Sequence, residues 1–104
     1  MFTIVNRRKI NRDRQQETMQ RAQSEFFPKL QSAAGLVGFY LVNDEENGVN
    51  TAIVVWEDRA HADAFRSEGE QWAQVLDEFG HTVVSDNWGE TVVSLEGHAR
   101  TGRP

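Results

Sequence analysis

The chain has 104 residues, enough for one domain with one hydrophobic core and not for two. Its net charge of −5 argues against a general nucleic-acid binder, which shows a basic stripe. It has no cysteine, which excludes disulfides, thiolate metal sites and cysteine nucleophiles.

Phe2 to Ile10 reads as a first strand. Phe2, Ile4, Asn6, Arg8 and Ile10 share one face, and Thr3, Val5, Arg7 and Lys9 the other. Asn6 and Arg8 are thus polar groups in line with Phe2 and Ile4. Asn11 and Asp13 compete to cap the first helix. In that helix Met19, Ala22, Phe26, Leu30 and Ala33 form one apolar stripe. Pro28 falls inside the pattern, removes a backbone donor and predicts a kink or short break near Glu25. Gly35 ends the helix.

Leu36 to Val42 is the second strand. Asn43 to Gly48 is a polar turn whose Asn47-Gly48 pair closes an antiparallel hairpin. The third strand, Ala52-Ile53-Val54-Val55-Trp56, is apolar on both faces. Asp58 caps the second helix, along which Ala64 or Phe65, Trp72, Val75, Leu76 and Phe79 recur at roughly helical spacing. Gly69 predicts a loop dividing that helix into a short and a longer piece. Gly80 ends it. His81 to Leu95 then reads as one long strand, or two hinged at a bulge on Gly89. Trp88 shares a parity with Val84 and Val92, which suggests a place near an interface between copies.

The order is β-α-β-β-α-β. It predicts an α+β, ferredoxin-like domain with a four-stranded antiparallel sheet over residues 1–96, followed by a flexible tail over 97–104. Two helices cover one face of such a sheet, yet LVGFYLV and AIVVW are apolar on both. An uncovered apolar face is closed most simply by a second copy, so a homodimer through the sheet is expected. The first residues, MFTIVNRRK, lack the order of a signal peptide. No apolar run approaches the roughly 20 residues of a membrane helix. The expectation is a cytoplasmic protein without membrane or nucleic-acid partners.

Three stretches carry a family resemblance. They are FTIVNRRKI with Asn6 at its middle, PKLQSAAGLVGFYLV leading through glycine into the second strand, and VVWEDRAHADAF joining strand to helix. On these the chain resembles the antibiotic biosynthesis monooxygenase family of the dimeric α+β barrel superfamily, from about Phe2 to Leu95. The resemblance implies a dimer whose sheets build a barrel, with a pocket between sheet and helices in each subunit. It also implies oxygen chemistry on aromatic compounds without metal or flavin, and so no cofactor. One branch of the superfamily degrades haem. Asn6 matches that branch's pocket asparagine, and Phe65 sits near its helix tryptophan. The place of its haem-ligating histidine falls near Ala73 or Gln74, neither of which is an imidazole, and this speaks against haem degradation.

A cofactor-free oxygenase must hold an electron-rich aromatic, stabilise its conjugate base and exclude water. Asn6 is the candidate catalytic group, able to polarise a substrate oxygen. Arg8 and Tyr40 are candidates for a second hydrogen bond, and Trp56, Phe65, Trp72 and Trp88 for aromatic walls. Large aromatics also fill cores, so Trp56, Phe65 and Trp72 equally suit packing. Only one of Phe39 and Tyr40 can face the pocket. His61, His81 and His98 share no metal-ligand spacing, so no metal site is expected. His61 is expected at the surface and His81 in a loop. The expected partners are a second copy and a small hydrophobic or aromatic ligand. The expected function is a cofactor-independent monooxygenase, or alternatively a non-catalytic ligand-binding or stress-response module of the same fold.

Overall fold

The computed structural model describes residues 1–97. Its elements are β1 (Phe2–Lys9), α1 (Gln15–Arg21), α2 (Phe27–Gln31), β2 (Leu36–Asp44), β3 (Val49–Trp56), α3 (Arg59–Glu78) and β4 (Thr82–Glu90). The four strands form one antiparallel sheet in the order β2-β3-β1-β4, and the helices lie on one face of it. This is the ferredoxin-like α+β arrangement that the element order predicts. Of the tail expected at 97–104, residues 98–104, with His98, lie outside the described residues.

The first helical segment is not uniform. A 3₁₀ turn over Arg12–Arg14 leads into α1, and a π-helical turn over Ala22–Phe26 joins α1 to α2. There the Phe27 N–H donates to the Ala22 carbonyl, one residue further back than in an α-helix. Pro28 explains the interruption, since it has no N–H to offer the carbonyl four residues before it. Asn11 is the cap: its side chain accepts from the Asp13 N–H.

Gly69 does not break the second helix. α3 runs unbroken for 20 residues from its Asp58 cap, whose carboxylate accepts from the His61 N–H at 2.9 Å. One helical glycine costs about 1 kcal/mol. The packing of Ala62, Phe65 and Trp72 on either side of it outweighs that cost.

β4 also differs from expectation. It ends at Glu90, and its irregularity lies not at Gly89 but at Val84, which falls between the pairs Arg7↔Ser85 and Arg8↔Val83. The extra residue changes the parity. Val84 is turned outward and 58% exposed, whereas Trp88 faces the helices and packs edge-on against Phe2, with ring centroids 6.0 Å apart. Trp88 therefore does not share a face with Val84.

The core sits at one end of the sheet. Phe2 and Ile4 of β1, Trp56 of β3, Leu30 of α2 and Ala62 of α3 are buried together, and Phe26, Phe39, Val54 and Phe65 pack around them. At the other end, the same face of β1 carries Asn6 and Arg8, and the layers there enclose a cavity instead. The outer face of the sheet is bare. Val37, Tyr40, Val42 and Val84 are each more than half exposed on it.

Candidate functional site

Between sheet and helices lies a cavity of about 360 Å³. Its wall is aromatic. Phe26 stacks on Trp72 with centroids 5.1 Å apart and planes 7° from parallel. Phe65 bridges Phe26 at 6.1 Å to Trp56 at 5.3 Å, and Phe27 lies 5.6 Å from Phe39. The π-helical turn bears on this wall, because Phe26 and the following Phe27 both reach the cavity.

The floor is polar in a way that a core is not. Asn6 on β1 pairs with Ala52 of β3 on one side and Asp86 of β4 on the other, and Asn50 of β3 lies opposite Arg8. Asn6 Oδ1 and Asn50 Oδ1 are buried with no hydrogen-bond partner among the described residues, and both residues line the cavity; Ser85 Oγ is likewise unpartnered, but Ser85 pairs with Arg7 and has the opposite parity to Asn6. Such atoms are uncommon, and each costs about 1–3 kcal/mol relative to a satisfied group. Two of them on one cavity floor make a surface ready to accept hydrogen bonds from a ligand's donor groups.

The charged groups behave differently. Arg8 reaches the cavity, but its guanidinium Nη1 donates to Asp77 Oδ1 at 2.7 Å and to the His81 carbonyl at 2.8 Å. It is already engaged in tying β1 to the end of α3. His81 is only 1% exposed. Its Nδ1 accepts from the Asn11 N–H at 3.0 Å, and its Nε2 lies 2.7 Å from Thr18 Oγ1, which donates to the Arg14 carbonyl. Burial holds its pKa below the usual histidine value, and the nearby Arg8 and Arg14 lower it further. It is a neutral, fully engaged imidazole and not a free base. Asp86 Oδ1 accepts from the Trp88 indole N–H at 3.1 Å, and Arg66 lies over the Trp88 ring, 4.5 Å from its centroid.

The cavity brings together six of the seven residues named from the sequence: Asn6, Arg8, Trp56, Phe65, Trp72 and Trp88. Tyr40 is the exception. A register shift between Leu36 and Gly38 sets Phe39 opposite Val54, on the cavity side. Tyr40 is thereby left on the outer face, 59% exposed. Trp56 borders the cavity but is 1% exposed and belongs to the core. Ala73 lines the cavity with only a methyl group, and Gln74 is exposed. His61 is half-buried rather than fully at the surface, and its Nδ1 lies 2.8 Å from Asp58 Oδ1. Sequence reasoning missed Asn50, Ser85, Asp86 and the buried state of His81. The signal for Asn50 was present in the alternation of Asn50, Ala52, Val54 and Trp56, which places it on one face with them.

A four-stranded antiparallel sheet with helices on one face and an aromatic cavity beneath them defines an α+β protein of ferredoxin-like type. The family model for antibiotic biosynthesis monooxygenase matches residues 1–73, and the chain belongs to that family. Among solved structures, one of an antibiotic biosynthesis monooxygenase superposes with a TM-score of 0.70 at 14% identity, covering 89% of this chain and 100% of that one. A dimeric ferredoxin-like protein from an uncultured marine organism gives 0.69 at 12% identity, covering 92% and 98%. HapK from Hahella chejuensis gives 0.66 at 19% identity, covering 95% and 100%. At such identities the likeness is one of fold. A comparison with curated proteins gave no match. Among the described residues, no helix is long and apolar enough to cross a membrane.

Proposed function

We propose that the chain is a small, dimeric, cofactor-independent monooxygenase acting on an aromatic or quinol-type compound held between sheet and helices. One observation carries this reading: an aromatic-walled cavity of about 360 Å³ on whose floor the buried Oδ1 atoms of Asn6 and Asn50 have no hydrogen-bond partner among the described residues. The volume lies within the usual range for small-molecule sites. Flat aromatic walls suit a flat substrate. The Asn6 Nδ2–H donates to a substrate oxygen and stabilises the negative charge that develops there once a proton has left, while the unpartnered Oδ1 accepts from a substrate hydroxyl. The resulting electron-rich anion is the species that reduces oxygen, and the apolar walls keep water from it. The bare outer face of the sheet supports the dimer, which would cover Tyr40 and Val42.

Catalysed oxygen uptake is the test. Purified protein is given a panel of anthrones and naphthoquinols with no flavin or metal added, beside Asn6→Ala. The expected result is uptake above the uncatalysed rate, reduced by about 10²- to 10³-fold in the variant, as for loss of an oxyanion donor. A second reading is favoured by one specific fact: both nitrogens of His81 are taken up by Asn11 and Thr18, so the cavity's imidazole is not a free base. On that reading the chain is a ligand-binding module. Asn6→Ala would then weaken binding of the same compounds, seen by tryptophan fluorescence, with no uptake in either protein.

A further inference from the structure

We propose that Asp86 is the general base of this site. It would remove the acidic benzylic proton of an aromatic ketone whose carbonyl oxygen is held by Asn6. The inference rests on the functional reading above and gives it a missing part, since a substrate anion needs a proton acceptor.

Four observations converge on Asp86. It is the direct cross-strand neighbour of Asn6, and it lines the same cavity. Facing pairs of this kind hold their Cβ atoms about 4.5–5.5 Å apart, so one small ring system can reach both side chains. Its carboxylate is anchored through Oδ1 by the Trp88 indole N–H at 3.1 Å, and that indole is itself held against Phe2 and beneath Arg66. Among the described residues, no lysine, arginine or histidine forms a salt bridge with Asp86. Its second oxygen is therefore not held in an ion pair. Two other candidate bases line the cavity: His81 has both nitrogens in hydrogen bonds, and Glu70 stands on α3, not on a strand beside Asn6 as Asp86 does.

The step balances without a further reagent. The benzylic C–H bond breaks and the proton passes to Asp86 Oδ2. The bonding electron pair enters the ring system and reaches the carbonyl oxygen as an aromatic enolate. The Asn6 amide N–H donates to that oxygen. Asp86 lies at the rim, on the edge strand β4, where a bound substrate would cover it and a later exchange with solvent could return the proton.

Proton removal can be read apart from oxygenation. Anthrone is incubated in D₂O without oxygen, and loss of its methylene signal is followed by NMR for the wild type, Asp86→Asn and Asp86→Glu. The expected result is exchange well above the buffer rate, falling by at least about 10²-fold in Asp86→Asn, the scale of general-base catalysis. Asp86→Glu should restore part of it. Circular dichroism and melting of each variant establish that the fold is retained; the side chain is exposed on an edge strand, so both variants should fold. Exchange by Asp86→Asn at the wild-type rate, or no exchange above buffer by the wild type, overturns the proposal. The two readings separate cleanly. Exchange without aerobic oxygen uptake leaves Asp86 as a base and removes the oxygenase reading. Full oxygen uptake by Asp86→Asn does the reverse.

Discussion

The backbone N–H of Asn11 donates to Nδ1 of His81, and this bond fixes the imidazole as its Nε2–H tautomer. Protonation would place a second hydrogen between two donors. Burial, Arg8 and Arg14 all oppose it and lower the pKa in the folded state. The unfolded chain then binds the proton more readily, near the ordinary value of about 6.5. Stability from this group is complete above that pH. It is lost as the pH falls through that value towards the lower folded-state pKa. The urea midpoint should therefore drop across this window. His81→Gln should show a smaller drop there, at a general cost of about 1–3 kcal/mol from the unpaired Asn11 and Thr18 groups. A midpoint equally steep in the variant would assign the pH dependence to other residues.

Asn6 should separate stability from function. Its buried Oδ1 has no partner, so the side chain contributes little to the fold and carries a desolvation cost. Asn6→Leu, of similar volume, is expected to leave the melting temperature unchanged or to raise it. Activity on the proposed substrates should nevertheless fall. Strong destabilisation in calorimetry would mean that the amide has a structural partner.

Trp56 and Trp72 of the cavity wall should respond differently. Trp56 is 1% exposed among Phe2, Ile4 and Leu30, and Trp56→Ala should cost about 3–5 kcal/mol in chemical denaturation. Trp72 is half-buried and stacked on Phe26. Trp72→Ala should cost less and should weaken ligand binding instead, as the stacked pair gives one flat wall. Equal losses of stability would place Trp72 in the core.

Two glycines make an opposed pair. A Cβ on Gly69, inside α3, meets no atom within 4 Å, so Gly69→Ala should stabilise the protein by about 0.5–1 kcal/mol. Gly35 has φ +82°, and a Cβ there would overlap the His61 ring. Gly35→Ala should lower the denaturation midpoint by more than Gly69→Ala raises it. A gain in stability at Gly35 would contradict the packing of His61.

The proposed dimer makes a further prediction. Tyr40 and Val42 are 59% and 52% exposed in the single chain. Light scattering should give a dimeric mass for the wild type and a monomeric one for Tyr40→Glu/Val42→Glu, because two buried charges without partners would oppose association. A wild-type monomer would remove the expectation drawn from the two-faced apolar sheet.

How far the sequence discloses this molecule depends on the kind of signal. The helix-facing side of β1 was legible from alternation alone, and with it Asn6 and Arg8 at the cavity end. The caps Asn11 and Asp58 and the disturbance by Pro28 were legible because each acts within a few residues. Long-range pairing was not. The extra residues at Val37 and Val84 reverse side-chain parity, and nothing local marks either, so alternation alone leaves Phe39 and Tyr40 undecided and sets Trp88 with Val84. Gly69 was read as a break because local propensity carries no information about the sheet beneath it. His81 follows a helix-ending glycine, which gives no hint that Asn11 and Thr18 will close over it from the other end of the chain.

The wide turn at Ala22–Phe26 has a bearing on how this sequence should be compared with its relatives. Closing on the carbonyl five residues back, it holds one residue more than an α-turn of the same reach. A homologue that crosses this region as a plain α-helix would align only with a one-position gap inside it. Without that gap, every position before the turn would be compared about 100° out of phase, and outward-facing residues would be matched to inward-facing ones.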